Sequence, residues 1–249
     1  MGALHEGHLS LIKQAKNVAD ICICSIYINP KQFNRKSDLK AYPRTLEKDA
    51  KLLEENDCDL VFAPSNSEIY GENFQSEVSV LNLTKPLEGS FRPGHFLGVT
   101  TIVNILFNIT EANFAIFGEK DFQQLRIIET MVADLKMRIK IIRAKLIREE
   151  SGLALSSRNT LLSDKEKKDA LLLSKSLLKA REAFIEGQKE SGKLKEIINN
   201  ELSISKILKL DYLEIADENL NKVKIASSKS RILIASYCGN VRLIDNIEL

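Results

Sequence analysis

The spacing of apolar residues predicts alternating helices and strands through the first part of this 249-residue chain. Apolar side chains recur at helical intervals from Leu9 to Val18, and a nearly continuous β-branched run follows from Ile21 to Ile28. The first pattern predicts an amphipathic helix and the second a buried strand. The same succession recurs at 46–53 and 60–62, at 99–107 and 114–117, and near 123–135 and 139–142. Strands that alternate with helices form a parallel sheet covered on both faces, so the pattern predicts an α/β fold.

A different pattern begins after Leu146. Ser163 and Glu166 have the spacing of a capping box, which predicts a long, lysine-rich amphipathic helix that ends near Glu186. A second helix and three strand-like runs follow at 194–202, 212–215, 232–235 and 241–244. We therefore predict two domains, 1–146 and 147–249, with a hinge near Leu146 and Ile147 and a small α+β fold in the second.

Charge and composition narrow the classes of partner. The chain has 36 basic and 34 acidic side chains, spread along its length, and this balance weighs against a nucleic acid as the main partner. No apolar run approaches the roughly 20 residues needed to span a bilayer, so we expect a cytoplasmic protein without a membrane partner. The four cysteines lack paired ligand spacing and are expected to be reduced thiols in the core.

Two histidines stand close together where the first helix is predicted to begin. His5 and His8 are three residues apart with Gly7 between them, whereas zinc proteases need histidines four apart on one helical face. This spacing disfavours a metal site. A helix N-terminus attracts phosphate, and imidazoles there add donors to the same anion. The motif therefore has two interpretations, a nucleotide site or ordinary capping histidines.

Charged residues also follow the predicted strand 114–117. Gly118 permits close approach of the backbone to a ligand, and Lys120 can neutralise phosphate charge at a strand exit, where ligands of parallel sheets gather. Asp121 is also suited to capping the next helix. A phosphate site and a charged surface turn are both open here.

A third polar segment lies at the predicted hinge. Ser156, Ser157 and Arg158 offer two hydroxyls and a guanidinium in a row, which is a donor set suited to clamping a polyphosphate. An ordinary interdomain turn is the alternative.

Asn29 and Gln32 follow the run that ends at Ile28, and their amides suit the hydroxyl and carboxylate groups of a small ligand, although a turn is the simpler explanation. We interpret His95 as a residue that orders its loop.

Five longer segments, in one order, resemble the pantothenate synthetase family across essentially the whole chain. They read MGALHEGHLSL, YPRTLEKD, LEGSFRPGHF, FGEKDFQQL and GLALSSRN. This family belongs to the nucleotidyltransferases with an HxGH signature. The resemblance implies a Rossmann-like N-terminal domain with a parallel sheet, a smaller C-terminal lid domain, and a homodimer.

The resemblance also implies roles for individual residues. The ATP-binding residues would be Met1, His5, His8, Gly118, Glu119, Lys120, Asp121, Ile147, Leu155, Ser156, Ser157 and Arg158. Of these, His8, Lys120, Ser156, Ser157 and Arg158 would act in catalysis. Gln32 and Gln124 would bind pantoate or β-alanine.

The implied reaction joins pantoate to β-alanine at the expense of ATP. The pantoate carboxylate would attack the α-phosphorus of MgATP, and the β-alanine amine would attack the resulting acyl-adenylate to give pantothenate and AMP. Neither a prosthetic group, a protein metal site nor an enzyme nucleophile is required, which agrees with the lack of a convincing catalytic triad in the sequence. A closed lid would protect the anhydride from water.

Two other functions remain open. One is an adenylyl or cytidylyl transferase of the same superfamily with a different acceptor, which would share His5 and His8. The other is a non-catalytic nucleotide-binding or dimerisation protein. Gln32, Gln124 and the Ser156–Arg158 segment favour the ligase over the first of these.

Members of the family carry about 30 further residues before the HxGH loop, including the strand that positions it within the sheet. We therefore expect the 249-residue chain as written to be a poor enzyme and its gene to encode a longer one. The upstream codons should specify an apolar strand that ends in a Pro-Thr-like pair. A chain extended in this way is expected to be better folded and far more active.

Overall fold

The computed structural model describes residues 2–34 and 36–249. These residues form two compact units. The first unit runs to Glu119 and resumes over Gln123–Lys145, and the second comprises Lys120–Phe122 and Leu146–Leu249.

The part of the chain before Lys145 alternates helices with short parallel strands. Its elements are α1 (Glu6–Lys16), β1 (Ile23–Ser25), α2 (Lys36–Ala41), α3 (Leu46–Glu54), β2 (Leu60–Phe62), α4 (Asn66–Ile69), α5 (Glu88–Phe91), α6 (His95–Thr110), β3 (Phe114–Gly118), α7 (Phe122–Asp134) and β4 (Lys140–Ala144). Short 3₁₀ helices at Pro30–Gln32 and Glu119–Asp121 come after the strands β1 and β3, respectively, and precede the next α-helix in each case. The predicted order of helices and strands is confirmed.

The strands of the first unit pair in parallel, as predicted. Among the described residues they form two separate two-stranded sheets, β1-β2 and β3-β4, and not the single predicted sheet, because no ladder of hydrogen bonds joins the two pairs. β1 lies beside β2 with Ile23 opposite Leu60, and β3 lies beside β4 with Phe114 opposite Lys140. β1 is shorter than the apolar run from Ile21 to Ile28 because the ladder extends only as far as its three-residue partner. The Ile26 N–H still donates to the Phe62 carbonyl at 2.9 Å, just past the end of β1.

Apolar clusters hold the first unit together. Ile127 and Ile128 of α7 are fully buried and pack with α6 side chains such as Val99 and Ile102. A second cluster joins Ile12 of α1 to Leu53 of α3. Burying a side chain of this size contributes about 1.5–3 kcal/mol, so the two clusters fix the helices against the strands.

The cysteines are free thiols. Cys22 and Cys238 are buried, and Cys24 and Cys58 are half-buried. Burial raises the pKa of the Cys22 thiol to about 12, and neighbouring Cys58 acts in the same direction. A thiol with this pKa stays protonated at neutral pH, which agrees with the prediction of reduced core thiols.

The second unit is the predicted small α+β fold. After a 3₁₀ helix at Ser157–Leu161 it contains α8 (Asp164–Ile185), α9 (Ser191–Leu202), β5 (Leu208–Ala216), β6 (Arg231–Cys238) and β7 (Val241–Glu248). The strands form an antiparallel sheet in the order β5-β6-β7. Its buried face, which includes Ile232 and Ile234, belongs to one core with Leu177 and Leu194 of the helices. The capping box of Ser163 and Glu166 starts α8 as predicted.

The division between the units differs in detail from the predicted domains. The chain passes from the first unit to the second between Lys145 and Leu146, whereas the sequence placed the last residue of the first domain at 146. Residues Lys120–Phe122 also belong to the second unit, which the sequence did not predict. No helix within the described ranges is both long and apolar enough to cross a bilayer.

Candidate active site

His5 and His8 cap the N-terminus of α1 with their own rings. The Gly7 N–H donates to His5 Nδ1 at 3.2 Å, and the His5 N–H donates to His8 Nδ1 at 3.3 Å. The ring centroids are 4.1 Å apart. A neutral imidazole whose Nδ1 accepts carries its proton on Nε2. Each ring can therefore cap the helix through Nδ1 and donate to an anion through Nε2, so the two interpretations of these histidines are compatible.

Asp49 holds the loop that leads into α1. Its carboxylate accepts from the backbone N–H groups of Ala3 at 2.9 Å and Leu4 at 2.8 Å, and from the Thr45 hydroxyl at 3.0 Å. Asp49 is only 1% exposed. Ala3 has a φ of 52°, in the left-handed region that residues with a Cβ rarely adopt. The two backbone hydrogen bonds therefore stabilise an otherwise unfavourable loop conformation just before His5, and the Thr45 hydroxyl holds the carboxylate that accepts them.

The sequence pattern alone does not reveal this role of Asp49. The one feature of the sequence that points to a structural role for Asp49 is its position on the inner face of the predicted helix 46–53. A buried carboxylate needs several donors. The position alone did not identify them, because the two backbone donors lie more than 40 residues earlier in the chain.

We expect Asp49→Ala to destabilise the protein by about 1–3 kcal/mol, because it leaves two partly buried N–H groups without their acceptor. It should also weaken the ATP binding that the resemblance implies for His5 and His8, since the loop before His5 loses its support. Urea denaturation and ATP calorimetry measure the two effects. Glu47→Ala, at an exposed position of the same helix, is the control. An Asp49→Ala protein as stable as the control would contradict this account of the loop.

Asn29 orients the side chain of Gln32. The Asn29 amide nitrogen donates to Gln32 Oε1 at 3.2 Å and to the Gly98 carbonyl at 2.9 Å, and its oxygen accepts from the Tyr70 hydroxyl at 2.9 Å. Burial raises the pKa of Tyr70, so this hydroxyl remains a donor at neutral pH. These partners fix which end of the Asn29 amide faces Gln32.

The backbone of Gln32 is held by α6 and the residues before it. His95 Nδ1 lies 2.8 Å from the Gln32 carbonyl, and Arg92 Nη2 donates to the same oxygen at 3.4 Å. A Cβ at Gly98 would lie 2.4 Å from the Lys31 carbonyl oxygen, so only glycine permits this close packing of α6 on the turn. His95 thus contacts the turn that contains Gln32, whereas the sequence predicted that it orders its own loop.

Gln124 lies in the first turn of α7, where it is half-buried. The adjacent Gln123 is buried and has a different role. Its side chain accepts from the Glu88 N–H at 3.0 Å and donates to the carbonyls of Leu83 and Pro86, both at 2.8 Å. Gln123 therefore anchors the segment before α6, and Gln124 is the glutamine that remains as a substrate candidate.

The predicted phosphate segment lies at the exit of β3. Gly118 ends this strand opposite Ala144, and the 3₁₀ turn Glu119–Asp121 leads into α7. Lys120 Nζ is 3.7 Å from Asp121 Oδ2. Since the Lys120 side chain is 23% exposed, its amine combines partial burial with access to a ligand.

The second unit brings Ile147, Leu155 and the Ser156–Arg158 segment together in a hairpin. The Leu155 N–H donates to the Ile147 carbonyl at 3.0 Å, and Ser156 Oγ accepts from the Arg158 N–H at 3.2 Å. Buried Asn159 closes the turn, because its amide nitrogen donates to the Ala154 carbonyl at 3.0 Å and to Glu149 Oε1 at 2.9 Å. The predicted ATP-binding residues Ile147, Leu155 and Ser156–Arg158 thus lie in one loop.

An ion pair between half-buried Arg148 and buried Asp245 holds this hairpin. Arg148 donates to both oxygens of Asp245, at 2.7 and 2.9 Å, and to the Gly152 carbonyl at 3.1 Å. A bidentate pair of this kind fixes both distance and direction. Sequence reasoning missed it because nothing in the local pattern relates Arg148 to a residue 97 positions later.

The two units divide the predicted site residues between them. The first contains His5, His8, Gln32, Gly118, Glu119 and Gln124, and the second contains Lys120, Asp121, Ile147, Leu155, Ser156, Ser157 and Arg158. Met1 lies outside the described residues. Within residues 2–34 and 36–249, no group of three or more His, Cys, Asp or Glu side chains is arranged to hold a metal ion.

Comparisons with known proteins all match this chain to one family. The sequence profile of the Pantoate-beta-alanine ligase family matches residues 1–248. Pantothenate synthetase from Aquifex aeolicus is 48% identical over 247 residues, which cover 99% of this chain and 88% of that protein. Pantothenate synthetase from Thermosipho africanus is 47% identical over 251 residues, with 99% and 89% covered.

Solved structures agree with this assignment. The crystal structure of pantothenate synthetase from Thermus thermophilus matches with a TM-score of 0.97 at 40% identity, covering 100% of this chain and 90% of that one. Pantoate-beta-alanine ligase from Francisella tularensis, complexed with beta-gamma ATP and beta-alanine, matches with a TM-score of 0.81 at 37% identity, with 100% and 87% covered. The chain therefore belongs to the pantoate–β-alanine ligase family, whose named members are pantothenate synthetases.

Proposed function

We propose that this protein condenses pantoate with β-alanine through a pantoyl-adenylate, consuming ATP and releasing AMP and pyrophosphate. The observation that carries the proposal is the pair His5 and His8, whose Nδ1 atoms accept hydrogen bonds at the start of α1. A neutral ring that accepts at Nδ1 carries its proton on Nε2, and this is the nitrogen that we propose donates to phosphate. The helix N-terminus adds its own positive potential. The named complex of the Francisella tularensis relative supports ATP and β-alanine as ligands.

In the first half-reaction a pantoate carboxylate oxygen forms a bond to the α-phosphorus of ATP. The bond from that phosphorus to the bridging oxygen breaks, and pyrophosphate leaves with the electron pair. Negative charge grows on the phosphate oxygens, so positioned donors lower the barrier. We assign His8, Lys120, Ser156, Ser157 and Arg158 to this task. Mg²⁺ enters as the counter-ion of the nucleotide.

In the second half-reaction the β-alanine nitrogen attacks the carbonyl carbon of the adenylate. The carbon–oxygen bond to AMP breaks and AMP leaves with the electron pair. The nitrogen passes a proton to solvent as the amide forms. Neither half needs a covalent enzyme intermediate. Positioning and charge supply the catalysis, which agrees with the chemistry of the assigned residues.

The remaining site residues position the substrates in this proposal. Gln32 and Gln124 hold pantoate, and β-alanine binds beside them. The ATP contacts would come from Met1, His5, Gly118, Glu119, Asp121, Ile147 and Leu155. The homodimer, the cytoplasmic location, and the closure of the second unit as a lid stay predictions.

The test is exchange of labelled pyrophosphate into ATP. With pantoate and without β-alanine, we expect exchange, because the first half-reaction is reversible. Addition of β-alanine should then yield pantothenate and AMP. Exchange that another acid supports and pantoate does not would contradict the proposal and favour a different nucleotidyltransferase. Loss of exchange with every acceptor would favour a nucleotide-binding protein.

Gln32→Ala and Asn29→Ala are both expected to weaken pantoate binding by roughly tenfold or more, because each removes or misdirects a hydrogen bond to a charged ligand. ATP affinity should remain nearly unchanged. Calorimetry with each ligand measures both. Gln75→Ala, at an exposed glutamine of the same unit, is the control. Equal weakening of ATP and pantoate binding would show a disturbed fold instead.

A further inference from the structure

Residues Lys120–Phe122 are bound to the C-terminal sheet by two side chains. The Asn246 amide nitrogen on β7 donates to the Lys120 carbonyl at 2.9 Å. The guanidinium of Arg231 on β6 lies 4.1 Å from the centroid of the buried Phe122 ring. Both contacts lie within the second unit, to which these three residues belong, whereas the residues on either side of them belong to the first.

The orientation of the Asn246 amide is determined by its partners. Arg231 Nη1 donates to Asn246 Oδ1 at 2.6 Å, and a guanidinium has no acceptor. Oδ1 must therefore face Arg231, which turns the amide nitrogen toward the Lys120 carbonyl. In a flipped amide the nitrogen would face the Arg231 donor and Oδ1 would face the Lys120 carbonyl, so neither hydrogen bond could form. Asn246 is 4% exposed, so water cannot readily replace either bond.

The preceding residue of β7 supports the other phosphate segment. Asp245 binds Arg148, which begins the hairpin that carries Ser156–Arg158. Arg148 Nη2 also donates to the Asn246 carbonyl at 3.4 Å, and the Asn246 N–H donates to Asp245 Oδ1 at 2.7 Å. Two consecutive residues of one strand thus hold two segments that are far apart in the sequence.

We infer that Asn246 is a positioning residue for Lys120. Oriented by Arg231, its amide ties the Lys120 backbone to β7. The lysine is thereby fixed relative to the Ser156–Arg158 segment, whose hairpin Asp245 of the same strand holds through Arg148. This inference rests on the proposed function, in which both segments act on one polyphosphate. Misplacement of such a group by about 1 Å can cost roughly 100-fold in rate, so loss of the Asn246 hydrogen bond is expected to slow the reaction.

The test is a double-mutant cycle. Asn246→Ala and Asn246→Asp are each made in the wild-type chain and in Lys120→Ala, and single-turnover adenylate formation is measured with pantoate and ATP alone. In the wild-type background we expect a loss of about 10- to 100-fold with unchanged pantoate affinity. In the Lys120→Ala background we expect no further loss, because the group being positioned is already absent.

Asn246→Asp separates positioning from folding. Aspartate has nearly the volume of asparagine and keeps an acceptor for Arg231, but it has no donor for the Lys120 carbonyl. If Asn246→Ala does not fold, the double-mutant cycle is therefore measured with Asn246→Asp. Asn200→Ala, at an exposed asparagine of the same unit, is the control and should leave the rate unchanged.

Equal losses in both backgrounds, or no loss in the wild-type background, would overturn the inference while leaving the proposed function intact. A Lys120→Ala chain with an unchanged rate would instead remove Lys120 from its proposed role. The inference about Asn246 would then fail together with that role. The two failures are distinguished by the Lys120→Ala rate alone.

Discussion

Replacing His8 or Lys120 with alanine is expected to slow adenylate formation by about 10²- to 10³-fold, the usual cost of one preorganised electrostatic donor. The effect should fall on the rate and not on pantoate affinity, because charge on the phosphates grows only toward the transition state. Single-turnover measurements with pantoate and ATP report it directly. Lys13→Ala, at an exposed lysine of α1, is the control.

Two further His8 variants separate its capping role from its phosphate role. Asparagine places an acceptor near the position of Nδ1, so His8→Asn should keep the hydrogen bond from the His5 N–H while losing the Nε2 donor. We expect this protein to be stable and as slow as His8→Ala. Glutamine places its amide nitrogen near Nε2, so His8→Gln should retain part of the rate. The reverse ranking would assign His8 to helix capping alone.

Loss of the Arg148–Asp245 ion pair is expected to have the largest effect on stability. The Asp245 side chain is 2% exposed and that of Arg148 is 24% exposed, so the two partners are not equivalent. Arg148→Met leaves a buried carboxylate without its partner and should cost about 3–5 kcal/mol. Asp245→Asn leaves a guanidinium that water can reach, and its cost should be smaller.

Urea denaturation at neutral pH measures these free energies of unfolding. Lys193→Met breaks an exposed ion pair with Glu190 in the same unit and is expected to cost less than about 1 kcal/mol. The double variant Arg148→Met with Asp245→Leu should recover part of the loss, because no buried charge remains. Equal costs for Arg148→Met and Lys193→Met would show that the pair contributes no more than a surface contact.

Local sequence patterns account for most of the helices and strands of this fold. The capping box of Ser163 and Glu166 identified the start of α8, and the run at Leu60–Phe62 gave β2 with its observed bounds. Such features depend on neighbours within a few residues, so local patterns contain the information they need. The HxGH segment was also placed correctly at the start of α1, because capping is local.

The length of β1, in contrast, depends on its partner strand. The sequence shows an apolar run from Ile21 to Ile28, but the strand covers Ile23–Ser25 because its partner β2 has only three residues. A strand ends where its ladder of hydrogen bonds ends, and that depends on a segment elsewhere in the chain. Apolar patterning alone cannot supply this boundary.

The supports of the candidate site likewise arise only in the folded chain. Asp49 reaches Ala3, Arg148 reaches Asp245, and Asn246 reaches Lys120 across 46, 97 and 126 positions. No periodicity relates such residues, and each is a polar side chain that could equally have faced solvent. Their partners and burial are set when distant segments pack together. Burial then gives these hydrogen bonds their strength, because a buried polar group without a partner is costly.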